Sequence, residues 1–106
     1  MGYRYFINAV ELAKKIMKDT IFPGDITIDC TVGKGNDTLL LAKLVGPLGK
    51  VYGFDIQSNA LDYTQEKLKK ENLIDRVKLI YDGHENVLNY IEDEKVKLVI
   101  FNLGYL

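Results

Sequence analysis

Apolar positions along the chain change their period several times, and each change marks an element. Phe6, Val10, Ala13 and Met17, flanked by Ile7, Leu12 and Ile16, recur at helical spacing and predict a helix over about Tyr5 to Lys18. Pro23-Gly24-Asp25 reads as a turn, and Ile26 to Cys30 as a buried strand. A polar, glycine-bearing loop follows, then Leu39-Leu40-Leu41-Ala42 within a helix from about Asn36 to Val45, ended by Gly46-Pro47-Leu48-Gly49. Lys50 to Asp55 (KVYGFD) predicts a second strand, and Ser58 the N-cap of a helix running to about Glu71. Val77 to Tyr81 predicts a third strand, Asp82-Gly83-His84 a corner, and Glu85 to Ile91 a short helix. Glu92-Asp93-Glu94-Lys95 is a polar connection to a fourth strand, Val96 to Phe101.

Strands that alternate with helices predict an α/β domain with a parallel sheet and right-handed crossovers. Ligands of such sheets bind beyond the carboxyl ends of the strands. The polar and glycine residues gather at those ends: Asp29 to Asp37, Asp55, Asp82-Gly83-His84 and Asn102. Their convergence on one crevice weighs more than any single motif.

The loop "CTVGKGNDT", Cys30 to Thr38, joins the first strand to the second helix. Glycine accepts positive φ and lets a ligand approach the backbone, while the following helix offers free N–H groups and a positive dipole end. A P-loop requires G-x-x-x-x-G-K-[ST], which Gly33-Lys34-Gly35 does not match. A dinucleotide fingerprint fits at Gly33 and Gly35, but Thr38 occupies its third glycine position and crowds the helix–strand contact. S-adenosylmethionine presents its zwitterionic methionine end to such a loop, and an acidic strand end, Asp29, suits that ammonium group. A tight turn with no ligand is the remaining alternative, and the loop alone leaves it open.

Asp55 stands twenty positions after Gly35, where a carboxylate can accept hydrogen bonds from both hydroxyls of a ribose. This suits any adenosine cofactor. Asp82 can accept from an adenine amino group, and the Gly83 or His84 N–H can donate to a ring nitrogen. His84 is the single histidine, so no metal site is expected. In "FNLGYL", Asn102 ends the fourth strand. Its oxygen can orient the lone pair of a reacting amine toward an electrophilic methyl group, with Tyr105 stacking on a base or closing over the methyl. A turn capped by Asn102, with Tyr105 an ordinary aromatic, is the plainer reading of those two residues alone.

Composition narrows the partners. The formal net charge of -1 gives no global field that draws the chain to nucleic acid. Lys67, Lys69 and Lys70, beside Glu66 and Glu71, read as a solvated helix face with i,i+4 pairing and not as an RNA patch. One cysteine excludes an internal disulfide and points to a reducing, cytoplasmic setting; Cys30 reads as a small hydrophobe under the loop. No apolar run reaches the ~20 residues of a membrane span, so no membrane partner is expected. The 106 residues suggest a single domain.

Together, "GDITIDCTVGKGNDTLLLAKLVG", "VYGFDIQ", "DGHE" and "FNLGYL" resemble a class I S-adenosylmethionine-dependent methyltransferase. More narrowly, the chain is similar to the bacterial Putative rRNA methylase family, associated with methylating the aminomethyl group on the wobble uridine of tRNA. The resemblance implies a Rossmann-like, doubly wound parallel sheet with strand order 3-2-1-4. It implies a cofactor pocket from Asp29, Thr31, Gly33, Gly35, Asn36, Asp37 and Thr38, extended by Asp55, by Ile56 and Gln57 beside the adenosine, and by Asp82, Gly83 and His84. It also implies that Asn102 and Tyr105 border the methyl-transfer site and that the substrate is an RNA, with tRNA the first reading; rRNA or another nucleic acid, or a non-catalytic adenosine-cofactor binding module, are the alternatives. Where the family shows G-N-G-H-D-T this chain has Gly33-Lys34-Gly35-Asn36-Asp37-Thr38, so only a polar contact carries over to Asn36. Family members continue past the Asn motif, so the chain reads as the N-terminal, cofactor-binding half of a longer domain. An open fourth strand would then favour edge association or a homodimer, and methyl transfer by this half alone is not expected.

Overall fold

The computed structural model describes residues 9–91 and 95–101. Four strands, β1 (Ile26–Asp29), β2 (Lys50–Asp55), β3 (Val77–Tyr81) and β4 (Val96–Ile100), form one sheet in the order β3-β2-β1-β4. Every pairing is parallel. The helices are α1 (Ala9–Thr20), α2 (Asn36–Val45) and α3 (Ser58–Lys70), with 3-10 turns at Ile74–Arg76 and His84–Asn89. This is the Rossmann-like arrangement and strand order that the resemblance implies.

The strand sequences explain their places. From its second residue onward β2 is buried throughout, as a strand with helices on both faces must be, and its sequence is nearly continuously apolar. The two edge strands, VKLIY and VKLVI, both carry an exposed lysine at their second position.

The core forms two apolar clusters. Met17 of α1, Leu39, Leu41, Ala42 and Val45 of α2 and Leu68 of α3 pack with Val51. Ile28, Cys30, Tyr52, Phe54 and Ile80 pack with Ile91. Cys30 is buried, and burial pushes its thiol up to about 11, with nearby Asp29 adding to the shift. It is the small hydrophobe its sequence position suggests.

Some boundaries differ from the sequence reading. α1 continues to Thr20, and only part of its apolar set faces inward: Ala13 and Met17 pack on the core, whereas Val10, Leu12 and Ile16 are exposed. The apolar stripe is wider than the face that α2 covers. Gln57, with extended backbone, caps α3, and Ser58 is already helical. The carboxylate of Asp55 accepts the Gln57 N–H at 2.9 Å and fixes that start, so no serine cap is needed. The short helix expected over Glu85 to Ile91 is a 3-10 helix that begins at His84. The expected stripe residues Phe6 and Ile7 lie outside the described residues.

Leu41, fully buried in the first cluster, is the sharpest probe of this packing. Leu41→Ala is expected to cost about 2–5 kcal/mol. Denaturant unfolding should show a lower midpoint with an unchanged slope.

Candidate functional site

The sheet ladder carries on past the strands and sets four chain segments at one rim. Cys30 N–H donates to the Ile100 carbonyl at 2.9 Å, Val32 N–H to Phe54 at 3.0 Å, and Asp82 N–H to Asp55 at 3.1 Å. The carboxyl ends of all four strands therefore meet, and the glycine loop, Asp55 and the Asp82 corner lie side by side.

Gly33 and Gly35 both hold positive φ, +55° and +84°. The two glycines meet different constraints. A Cβ on Gly33 would touch nothing within 4 Å, so that side of the loop is open to a ligand. A Cβ on Gly35 would lie 2.5 Å from the Thr64 hydroxyl oxygen and 2.7 Å from its methyl carbon, because α3 packs directly against the loop. Gly35 also caps α2, where Asn36 is exposed at the first helical position.

Neighbouring elements satisfy the loop's backbone. The Thr64 hydroxyl donates to the Gly33 carbonyl at 3.3 Å, and the Lys67 ammonium donates to the Lys34 carbonyl at 2.7 Å and to Asn36 Oδ1 at 3.1 Å. Asp55 Oδ2 accepts the Gly33 N–H at 2.8 Å, while its other oxygen holds Gln57. Asp55 is buried to 7% exposure, at the rim where a ribose would stand, and Ile56 beside it is 70% exposed, an apolar surface facing out.

Asp29 has no exposed surface. Its oxygens accept from the Thr38 hydroxyl at 2.8 Å and from the Thr31 N–H at 3.1 Å, so it braces both ends of the loop from beneath. Burial pushes its pKa up to about 7, opposed by those two hydrogen bonds and assisted by the charges of Asp37 and Asp55. Asp37 is half-buried, which raises its pKa, while Lys14 draws it down.

At the third strand end, Asp82 accepts from the Gly83 N–H at 2.7 Å, from the Asn86 amide at 2.8 Å and from the Tyr90 hydroxyl at 2.7 Å. The Asn86 and Tyr90 bonds, with Gly83, hold its carboxyl below the usual range. Tyr90 also sets its ring edge-on to Phe54, with centroids 5.6 Å apart. The exposed His84 ring stands edge-on to Phe101 at 5.3 Å, which links this corner to the end of β4. Asn102 and Tyr105 lie outside the described residues. Among the described residues, no group of three or more His, Cys, Asp or Glu gathers to hold a metal.

Sequence reading missed Thr64 and Lys67. A signal existed for Thr64: it falls in the buried stripe Leu61–Thr64–Leu68, where a polar residue needs a partner. Lys67 carried none, because it resembles its lysine neighbours. The expected i,i+4 pairing is also not what is found: Lys69 meets Glu66 one turn back at 3.8 Å, and Glu71 pairs with Lys43 of α2. The arrangement fits S-adenosylmethionine in three respects: an open glycine backbone, a rim carboxylate at ribose spacing, and a buried carboxyl group under the loop.

Comparison with known proteins agrees. The model of the family described as Putative rRNA methylase matches residues 51–106. The chain is 38% identical to a chloroplastic tRNA (mnm(5)s(2)U34)-methyltransferase of Arabidopsis thaliana, over 93% of this chain and 39% of that protein. Its fold matches a putative rRNA-methylase from Clostridium thermocellum, with a TM-score of 0.90 and 48% identity, over 95% of this chain and 56% of the other. It also matches a putative methyltransferase from Streptococcus mutans solved in complex with SAH, with a TM-score of 0.84 and 40% identity, over 95% and 55%. The chain thus spans from 39% to 56% of the length of these relatives.

Two outcomes follow from the geometry. Gly33→Ala should cost about 1–2 kcal/mol, the strain of a left-handed residue. Gly35→Ala should add about 1–3 kcal/mol of overlap with Thr64. Thr64→Ala in the same chain should recover part of the Gly35→Ala loss, as read by a double-mutant cycle of unfolding free energies.

The second outcome concerns pH. Asp29 binds its proton more tightly folded than unfolded, so the folded state holds more protons between about pH 4 and pH 7. Its contribution to stability must then fall as pH rises through that window and level off above it. Asp29→Asn should flatten this part of a stability–pH profile; an unchanged slope would remove Asp29 as its source.

Proposed function

The chain belongs to the Putative rRNA methylase family, and from that premise we propose that it is the cofactor-binding part of an S-adenosylmethionine-dependent methyltransferase acting on RNA. The observation that carries this reading is the rim where Asp55 joins the glycine loop, with the Asp82 corner beside it. When bound, S-adenosylmethionine supplies an electrophilic methyl carried on a sulfonium.

In this reading Gly33, Asn36 and Asp37 lie about the methionine end, while the buried Gly35 and Thr38 shape the loop that meets it. Asp29, held to Thr31 and Thr38, lies beneath the ammonium group, whose positive charge would favour the ionised form of its carboxyl. Asp55 takes the ribose hydroxyls through its remaining lone pairs, Ile56 and Gln57 lie along the adenosine, and Asp82, Gly83 and His84 border the adenine. Asn102 orients the acceptor amine, and Tyr105 closes over the transfer site. With the amine lone pair held toward the methyl that the cofactor would supply, the proton of the methylated amine would pass to solvent.

The acceptor we propose is the aminomethyl group of the tRNA wobble uridine. Support comes from likeness to the chloroplastic tRNA methyltransferase across nearly all of this chain. The second reading, rRNA as substrate, is favoured by the family's description and by the Clostridium thermocellum relative.

The test supplies the full-length protein with methyl-labelled S-adenosylmethionine and separated tRNA and rRNA from cells lacking the gene. Label in a wobble-position nucleoside of tRNA is expected. Label in rRNA alone would overturn the tRNA substrate and keep the chemistry. No label in either, with S-adenosylhomocysteine still bound, would overturn the RNA reading. Asp55→Ala should weaken S-adenosylhomocysteine binding by about 10–100-fold, the loss of hydrogen bonds to a charged group. Asn102→Ala should bind it normally and transfer no methyl.

A further inference from the structure

Twelve lysines and two arginines barely fail to balance fifteen acids in this chain, so its sequence shows no basic face. Folding sorts those charges. A groove of about 360 Å³ runs between α1, α2 and α3, and Lys14, Lys18, Lys43 and Lys67 line it. Glu71 is the one acidic residue among its walls, and two leucines of α2 contribute apolar floor.

The lysines come from three helices far apart in sequence. Lys14 and Lys18 stand one turn apart on α1, about 5–6 Å between their Cβ atoms. Glu71 pairs with Lys43 at 3.1 Å, but both side chains are about half exposed, so water screens the pair. Lys67 donates to two neutral oxygens, the Lys34 carbonyl and Asn36 Oδ1, and stands over the Tyr63 ring at 5.2 Å, contacts that fix the ammonium without an acidic partner. Lys14 faces Asp37 of the loop.

Lysine ammoniums are point charges without the planar fork that reads a carboxylate bidentately. A row of them matches a repeating anion whose spacing, not its sequence, is recognised. Asn36, the first residue after the glycine loop, is also among the groove's walls.

We propose that this lysine-lined groove seats the phosphate backbone of the RNA substrate. The proposal rests on the RNA reading above and assigns the residues that would hold the RNA away from the transfer site. Lys67 supports the loop as well, so the discriminating variants are at Lys18 and Lys43.

The experiment measures tRNA affinity of the protein with S-adenosylhomocysteine bound, by fluorescence anisotropy across a salt series. The Lys18→Gln/Lys43→Gln protein should bind tRNA more weakly. Its slope of log affinity against log salt should be shallower by about 1.4–1.8, the loss of two phosphate contacts. Affinity for S-adenosylhomocysteine and the thermal midpoint should match wild type, and Lys18→Glu alone should weaken tRNA binding further than Lys18→Gln. Wild-type tRNA affinity and salt slope in these variants would overturn the groove assignment and leave the RNA reading standing. A wild-type protein that binds neither tRNA nor rRNA would overturn both. Polyglutamate or phosphatidylserine vesicles bound as tightly as tRNA, with the same loss in the variants, would overturn RNA as the occupant.

Discussion

The hydrogen bond from the Gly33 N–H to the Asp55 carboxylate spans 22 positions of sequence and joins the ends of two neighbouring strands. A tight turn that must stay open to a ligand cannot satisfy its own backbone within itself, and buried backbone groups left unpaired are costly. Here the surrounding elements supply the partners. β2 gives Asp55 and the Phe54 carbonyl, α3 gives Thr64 and Lys67, and β1 gives Asp29. The loop's shape is therefore a property of the sheet and of α3 together. The missing side chain at Gly35 is what permits their close approach.

Much of this was legible because period and punctuation agree with burial. The strands Lys50–Asp55 and Val77–Tyr81 fall where the sequence places them, and α2 starts and ends at the predicted residues. Asp55 was legible by its distance from the loop. The rest depended on tertiary contacts that no local pattern encodes. That Asp29 points inward, that Tyr90 reaches from a 3-10 turn to Asp82, and that Lys67 turns back onto the loop all follow from how α3 and the third connection lie on the sheet. On α1 the pattern overstated burial, since Leu12 and Ile16 satisfy the helical period and yet remain exposed.

Acids and lysines gather at different places around the glycine loop, and they meet where Lys14 acts on Asp37. Asp29, Asp37 and Asp55 lie close enough that the last two push the first toward its protonated form. Behind the loop, four lysines line one groove. An overall charge of -1 conceals this separation.

Cys30 sits beneath the loop, on the last rung among the described residues that joins β1 to β4. Thiols react as thiolates, and a buried thiol whose pKa is about 11 presents almost none at neutral pH. A thiol reagent can reach it only when that rung parts. As the chain has one cysteine, the rate of its modification becomes a clock for how often the ligand-facing end of the sheet comes open, and any molecule that braces the loop should slow that clock.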